Sequence, residues 1–224
     1  MRGLFVTGTD TGVGKSVASA CLLASMRAAG EPVRAYKPAV TGLDDPPGPT
    51  WPADHELLAL AAGMDPEEVT SHRYGPAASP HLAAALAGEQ LDPQALIARA
   101  RELGDGHTLV AEGVGGLLVP LTGSFSVCDL AAALALPLVV VARPGLGTIN
   151  HTLLTLQAAR RAGLAVAGVL LSGWAAEPPP LELSNRETIA ALGDVEVHTL
   201  PLLSGPDPDA LAAAGDRLPW RRWM

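Results

Sequence analysis

The sequence predicts an α/β fold, a mostly parallel sheet flanked by helices on both faces. Three observations predict it. Short apolar runs such as Leu138-Val-Val-Val-Ala142 lack the alternation of a half-exposed strand and read as strands buried on both faces. Stretches with apolar residues at helical spacing separate these runs, the order that crossover helices between parallel strands require. The first strand meets its helix through a glycine-rich turn, Gly8-Thr-Asp-Thr-Gly-Val-Gly-Lys-Ser16.

That turn carries the clearest chemistry in the chain. Leu4-Phe5-Val6 is the first strand, and Val17 to Arg27 reads as the first helix. A strand, a glycine turn and Gly-Lys-Ser opening a helix form the context of a phosphate-binding loop. Gly12 and Gly14 allow backbone dihedrals closed to other residues, so successive N–H groups turn inward around an anion. The helix start adds the positive end of its dipole. Lys15 reaches the outer phosphates, and the Ser16 hydroxyl suits the shell of a Mg²⁺ ion. The predicted cradle therefore runs through Gly12, Val13, Gly14, Lys15, Ser16 and Val17. Five residues separate Gly8 from Gly14, one more than the common spacing, so Thr9 stands at the usual first glycine. The expected fold is a three-layer sandwich of the P-loop NTPase type, binding a nucleoside triphosphate.

Composition narrows the class. A chain of 224 residues suits one domain with a sizeable core, here taken as 1–224. No apolar run reaches the ~20 residues of a membrane helix, and Pro137 interrupts the nearest, Ala131 to Ala142. The chain enters its first strand at once, with no targeting pattern, so a cytoplasmic location is expected. Cys21 and Cys128 lie in apolar helical settings without metal spacing and read as buried free thiols. A net charge of −8 argues against a nucleic-acid partner. Of 15 Lys and Arg residues only Lys15 and Lys37 are lysines, so a compact, orientable ammonium is kept at two places in an arginine-rich chain.

The remaining elements follow in order. Val33 to Lys37 is the second strand, ended by Pro38, which puts Lys37 on the carboxyl edge where ligands of open α/β sheets collect. Thr41-Gly42 offers a hydroxyl and a free N–H to the same space, and residues 43–53 form a Pro- and Gly-rich loop. Asp54 opens a helix, either as its N-cap or as a functional carboxylate. Helix and loop fill 65–106, with His81 at a helix start as a local structural residue or a substrate contact. His107 to Ala111 is the third strand. Glu112 at its end is placed to hold Mg²⁺, and Gly113-Val114-Gly115 lets a ligand approach the backbone. A helix over 127–136 precedes the strand at 138–142. Thr148-Ile-Asn150 opens a helix to Ala162 whose free N–H groups suit a carboxylate. The strand at 165–171, a helix at 183–192 and a last strand at 195–200 complete the sheet, which Pro201-Leu202-Leu203 then leaves. The tail Pro219-Trp-Arg-Arg-Trp-Met reads as a packed end or part of an interface.

Taken together, the phosphate loop, Tyr36-Lys-Pro-Ala-Val-Thr-Gly42, Ala78-Ser-Pro-His81, Ala111-Glu-Gly-Val-Gly-Gly116 and Leu146-Gly-Thr-Ile-Asn-His151 resemble dethiobiotin synthetases. The likeness in order and spacing runs from the first strand to about residue 171 and weakens beyond it. The resemblance implies an ATP- and Mg²⁺-dependent ligase that closes a ureido ring from 7,8-diaminononanoate and CO₂, releasing ADP and phosphate. It assigns Lys37, Lys15 and Thr11 to catalysis, Thr41 to the carbamate, and Ser16, Asp54 and Glu112 to Mg²⁺. It further implies a homodimer in which Thr148 and Asn150 of one subunit bind the substrate carboxylate in the other's site. It places Ser172, Gly173 and Pro201 to Leu203 at the nucleotide. Where the family usually reads adenine with an Asn, this chain has Ser172-Gly173, so the selecting amide is absent and base preference stays open. A nucleotide-switch ATPase of the partitioning type is the alternative. Those proteins carry a signature Lys where Asp10 stands here and need no Lys37-to-Thr41 segment. A small-molecule kinase would place arginines in a lid, and residues 43–53 have none.

Overall fold

The computed structural model describes residues 1–45 and 50–224. Among these residues six strands form one parallel sheet: β1 (Arg2–Gly8), β2 (Val33–Tyr36), β3 (Thr108–Gly116), β4 (Leu138–Ala142), β5 (Val166–Trp174) and β6 (Val197–Pro201). Their order is β2-β3-β1-β4-β5-β6, with every pairing parallel. The expected α/β sheet is therefore present. β1 sits centrally between β3 and β4; its crossover runs to β2 on one side and that of β4 runs to β5 on the other, so the crevice for a ligand opens at the carboxyl ends of this pair.

The helices are α1 (Lys15–Ala28), α2 (Asp54–Ala62), α3 (Pro66–Val69), α4 (Pro80–Leu86), α5 (Pro93–Leu103), α6 (Val127–Leu134), α7 (Thr148–Arg161), α8 (Pro180–Gly193), α9 (Pro208–Gly215) and α10 (Trp220–Trp223). One buried cluster packs α5, α6 and α7 on the sheet through residues such as Phe5, Leu109, Leu130 and Val140. The other packs α1, α2 and the C-terminal segment on it through Leu4, Val6, Leu22 and Val139. Phe5 and its neighbours Leu4 and Val6 belong to opposite clusters, which is how a strand buried on both faces divides its side chains.

Three elements differ from the sequence expectation. β3 runs on through Gly116, so Glu112 lies within the strand, opposite Val6 of β1, rather than beyond its end. Pairing with β1 breaks after Glu112 and resumes at Gly116 opposite Gly8, an irregularity of the kind glycines in a strand mark. β5 likewise extends to Trp174 and takes in Ser172 and Gly173. Helix α9 adds to the expected set, and Asp207-Pro208 is a regular start for it: Asp207 Oδ1 accepts the Ala210 N–H, and Pro208 sits at the first position. It packs so closely on α1 that a Cβ on Gly215 would lie 2.0 Å from the Cys21 carbonyl oxygen. The tail after it is packed: Trp220 is fully buried and its indole N–H donates to Ser25 Oγ at 3.0 Å.

Candidate functional site

The phosphate loop takes the predicted shape. Gly12 and Gly14 have φ of 69° and 91°, left-handed values, and α1 begins at Lys15 immediately after. A Cβ on Gly14 would stand 2.3 Å from Ser172 Oγ, so this glycine also lets β5 come close. Lys15 curls back, its Nζ donating to the Asp10 carbonyl oxygen at 3.0 Å. Asp10 is held in turn by the Thr11 N–H at 2.7 Å and by Arg143 at 3.5 Å.

Of the two readings of Asp54, N-cap or functional carboxylate, the cap is excluded. Ala53 is the cap and Asp54 the first helical residue, while Glu56 Oε2 reaches back to accept the Ala53 N–H at 3.0 Å. The Asp54 carboxylate is thereby free to face the sheet, where Oδ2 accepts from Lys37 Nζ at 2.7 Å. The same ammonium donates to Glu112 Oε1, which also accepts the Ser16 hydroxyl at 2.9 Å. Lys37 and Glu112 are 2% and 0% exposed, whereas 46% of the Asp54 side chain meets solvent.

Electrostatics follow from this arrangement. Burial disfavours charge on Asp54, but the Lys37 ammonium outweighs it and holds the carboxyl down at about 2. Burial also opposes charge on Lys37, and its two carboxylates overcome that and raise its pKa. Lys15 moves the other way: burial and then the neighbouring Lys37 lower it, partly offset by Glu112, Asp54 and Asp10.

A cleft of about 590 Å³ opens above this cluster, and its walls bring together most of the predicted site. Thr11, Gly12, Gly14, Lys15, Ser16 and Val17 form one side. Lys37, Thr41 and Asp54 form another, with Val114 and Gly115 closing an end. Ten predicted positions lie off this cleft: Val13, Glu112, Gly113, Thr148, Asn150, Ser172, Gly173, Pro201, Leu202 and Leu203. The Val13 side chain is in the core, Glu112 lies beneath the floor, and a Cβ on Gly113 would strike Val127 rather than the cleft. Thr148 lines a separate hollow with Thr9, Arg143 and His151, and Asn150 is exposed beside it at the start of α7. Pro201 ends β6, with Leu202 exposed after it and the Leu202 N–H bonded to Trp174 O. His81 is exposed, bonds Ser79 Oγ at 3.0 Å, and faces a different hollow. Sequence reasoning missed Trp51 and Pro52, which line the cleft; an isolated Trp in a Pro-rich loop was the available signal. The proposed 43–53 lid falls partly on 46–49, outside the described residues.

The donor set fits a hard divalent cation. Ser16 Oγ and two carboxylates converge, and Glu112 Oε2 is buried without a hydrogen-bond partner among the described residues. All are oxygens, as Mg²⁺ prefers. Among the described residues no group of three or more His, Cys, Asp or Glu is arranged to hold a metal. Phosphate oxygens and water would have to supply the remaining ligands.

Comparison with known proteins places this geometry. A family model described as "AAA domain" matches residues 2–203. The chain is 46% identical to the ATP-dependent dethiobiotin synthetase BioD of Anaeromyxobacter dehalogenans over 86% of each chain. It is 40% identical to that of Haloferax mediterranei, over 96% of this chain and 90% of the relative. The chain belongs to the dethiobiotin synthetase family. The family model's match runs beyond residue 171, through β6. Among solved structures, the cell division ATPase MinD of Pyrococcus furiosus superposes with a TM-score of 0.57 at 16% identity, covering 96% of this chain and 98% of that one. The MinC:MinD complex of Aquifex aeolicus gives 0.60 at 13%, over 97% and 95%. These share the fold of a synthetase-family chain and no more.

Proposed function

We propose that the chain is an ATP-dependent dethiobiotin synthetase, a ligase of biotin biosynthesis, acting on 7,8-diaminononanoate and CO₂ with Mg²⁺. Lys37 carries the reading. It is the second of two lysines, buried at the end of β2, and bonded to both carboxylates assigned to the cation. A nucleotide switch needs no such group on that edge.

The reaction joins two anions. One amine of the substrate adds CO₂ and loses a proton to form a carbamate. A carbamate oxygen attacks the γ-phosphorus of ATP and ADP leaves, giving a carbamic–phosphoric anhydride. The second amine attacks the carbonyl carbon, phosphate leaves and the ring closes. At ~4 Å the repulsion between two unit negative charges is about 1 kcal/mol in water and about 4 kcal/mol at an effective dielectric near 20. Fixed cations must offset it. Lys15 lies in the loop that cradles the triphosphate, with Thr11 beside it for the γ-phosphate. Lys37 faces the cleft opposite, where it neutralises carbamate and transferring phosphoryl, and Thr41 supplies a hydroxyl to the carbamate. Ser16, Asp54 and Glu112 would hold Mg²⁺, which would neutralise charge on the phosphate oxygens. No strong base is required, since phosphoryl transfer rests mainly on positioning and charge.

In this reading residues 1–224 act as one unit in the cytoplasm, as a homodimer. Support for the dimer comes from Leu146 and Leu154, 90% and 57% exposed beside and on α7. Thr148 and Asn150 of that region would bind the substrate carboxylate in the partner's site. The base would lie along Ser172, Gly173 and Pro201 to Leu203, with no Asn amide to select adenine. The test is product analysis by mass spectrometry with ¹³C-bicarbonate. A product equal to the diamine plus labelled CO₂ less water supports the reading; unlabelled or unchanged diamine refutes it.

A further inference from the structure

We infer that the Lys37 ammonium is the resident counter-ion of the cation site. Mg²⁺ and Lys37 Nζ are alternative occupants of the Asp54–Glu112 pair, and the arriving metal nucleotide releases the ammonium towards the reacting groups. This rests on the reading above that Ser16, Asp54 and Glu112 hold the cation.

The geometry points to exchange in four ways. All three oxygen ligands already converge: Lys37 Nζ bonds Asp54 Oδ2 and Glu112 Oε1, and Ser16 Oγ bonds that same Glu112 oxygen. Glu112 is fully buried, and an uncompensated carboxylate there is costly, so some cation must be present in every state. Lys15 does not fill the place, because its ammonium is tied to the Asp10 carbonyl oxygen at 3.0 Å. A Mg²⁺ ion at ~2.1 Å from these carboxylate oxygens would also stand within a few ångströms of the present Nζ, and like charges that close repel strongly.

The side-chain type suits the movement. Lysine carries a compact charge on a flexible four-carbon stem, where arginine would present a rigid fork. The cleft lies directly beside Lys37, so Nζ can turn into it without crossing packed core. Exchange then couples the release of Lys37 to the arrival of the metal nucleotide. The catalytic ammonium faces the reacting anions only when the metal nucleotide is in place.

The test measures Mn²⁺ binding by electron paramagnetic resonance to wild type and Lys37→Met, without nucleotide and with ADP. Losing the adjacent positive charge should tighten nucleotide-free Mn²⁺ binding on the order of 100-fold in Lys37→Met. Equal affinities would overturn the exchange. If wild type binds Mn²⁺ with ADP but the variant gains nothing alone, only the exchange fails. If neither protein binds Mn²⁺ even with ADP, the cation-site reading fails and the exchange with it. Should the variant not fold, wild type decides alone. With two lysines in the chain, ¹⁵N-lysine labelling yields two side-chain signals. Adding Mg²⁺ and ADP should move the Lys37 signal and remove its protection from solvent exchange, more than ADP alone does. A Lys37 signal indifferent to the metal would sink the proposal.

Discussion

Glu112→Gln should destabilise the nucleotide-free protein far more than Asp54→Asn, although both carboxylates hold the same ammonium. The difference comes from burial. Glu112 is 0% exposed and Lys37 is 2% exposed, so removing the Glu112 charge leaves Lys37 buried with one partner at the solvent edge. Breaking a buried pair by removing one member costs about 3–5 kcal/mol, and the retained amide oxygen favours the lower end. The Asp54 side chain is 46% exposed. Water screens its attraction to Lys37, so its lowered carboxyl pKa converts to no more than about 1 kcal/mol. For a domain of this size, about 3 kcal/mol lowers Tm by roughly 6–12 °C and about 1 kcal/mol by roughly 2–4 °C. Thermal and urea unfolding at neutral pH, without Mg²⁺ or nucleotide, measures both. Adding Lys37→Met to Glu112→Gln should recover part of the loss, because it removes the orphaned charge. Equal losses from the two single variants, or strict additivity in the double variant, would refute the argument.

Other expectations follow from the same packing. Gly14→Ala puts a Cβ at φ 91° and 2.3 Å from Ser172 Oγ; a left-handed alanine costs about 1–2 kcal/mol, and calorimetric titration should show nucleotide binding lost. Trp220→Ala should cost about 3–5 kcal/mol in urea unfolding, since the indole is fully buried and bonded to Ser25, while Trp220→Phe should cost much less. Burial pushes the Cys21 thiol up to about 12, so the folded state holds its proton more tightly than the unfolded chain. That contribution is intact below pH 9 and is lost as pH rises from 9 towards 12. Tm should fall less steeply over that range in Cys21→Ala than in wild type.

Much of the fold was legible because its signals are local and additive. The short, β-branched apolar run from Leu138 to Ala142 reads as a doubly buried strand, and the turn from Gly8 to Ser16 marked both the loop and the start of α1. The site was legible wherever one residue type had few uses: two lysines in an arginine-rich chain marked both cations of the cleft. What escaped depended on tertiary pairing. Gly113 and Gly115 read as the end of a strand, yet after an irregularity across 113–115 β3 pairs again with β1, Gly116 opposite Gly8, and only that tertiary partner shows it. Asp54 read equally well as a cap, because nothing local reveals that Glu56 occupies the Ala53 N–H and leaves Asp54 for Lys37. The direct Lys37 bridge between Asp54 and Glu112 joins residues 17 and 75 positions away, beyond any local pattern.

The most direct measurement is phosphate release with Mg-ATP and bicarbonate, with and without 7,8-diaminononanoate, in wild type and Lys37→Ala. Release should require the diamine, accompany dethiobiotin formation and disappear in the variant. Release indifferent to the diamine, or unchanged in Lys37→Ala, would contradict the proposed function.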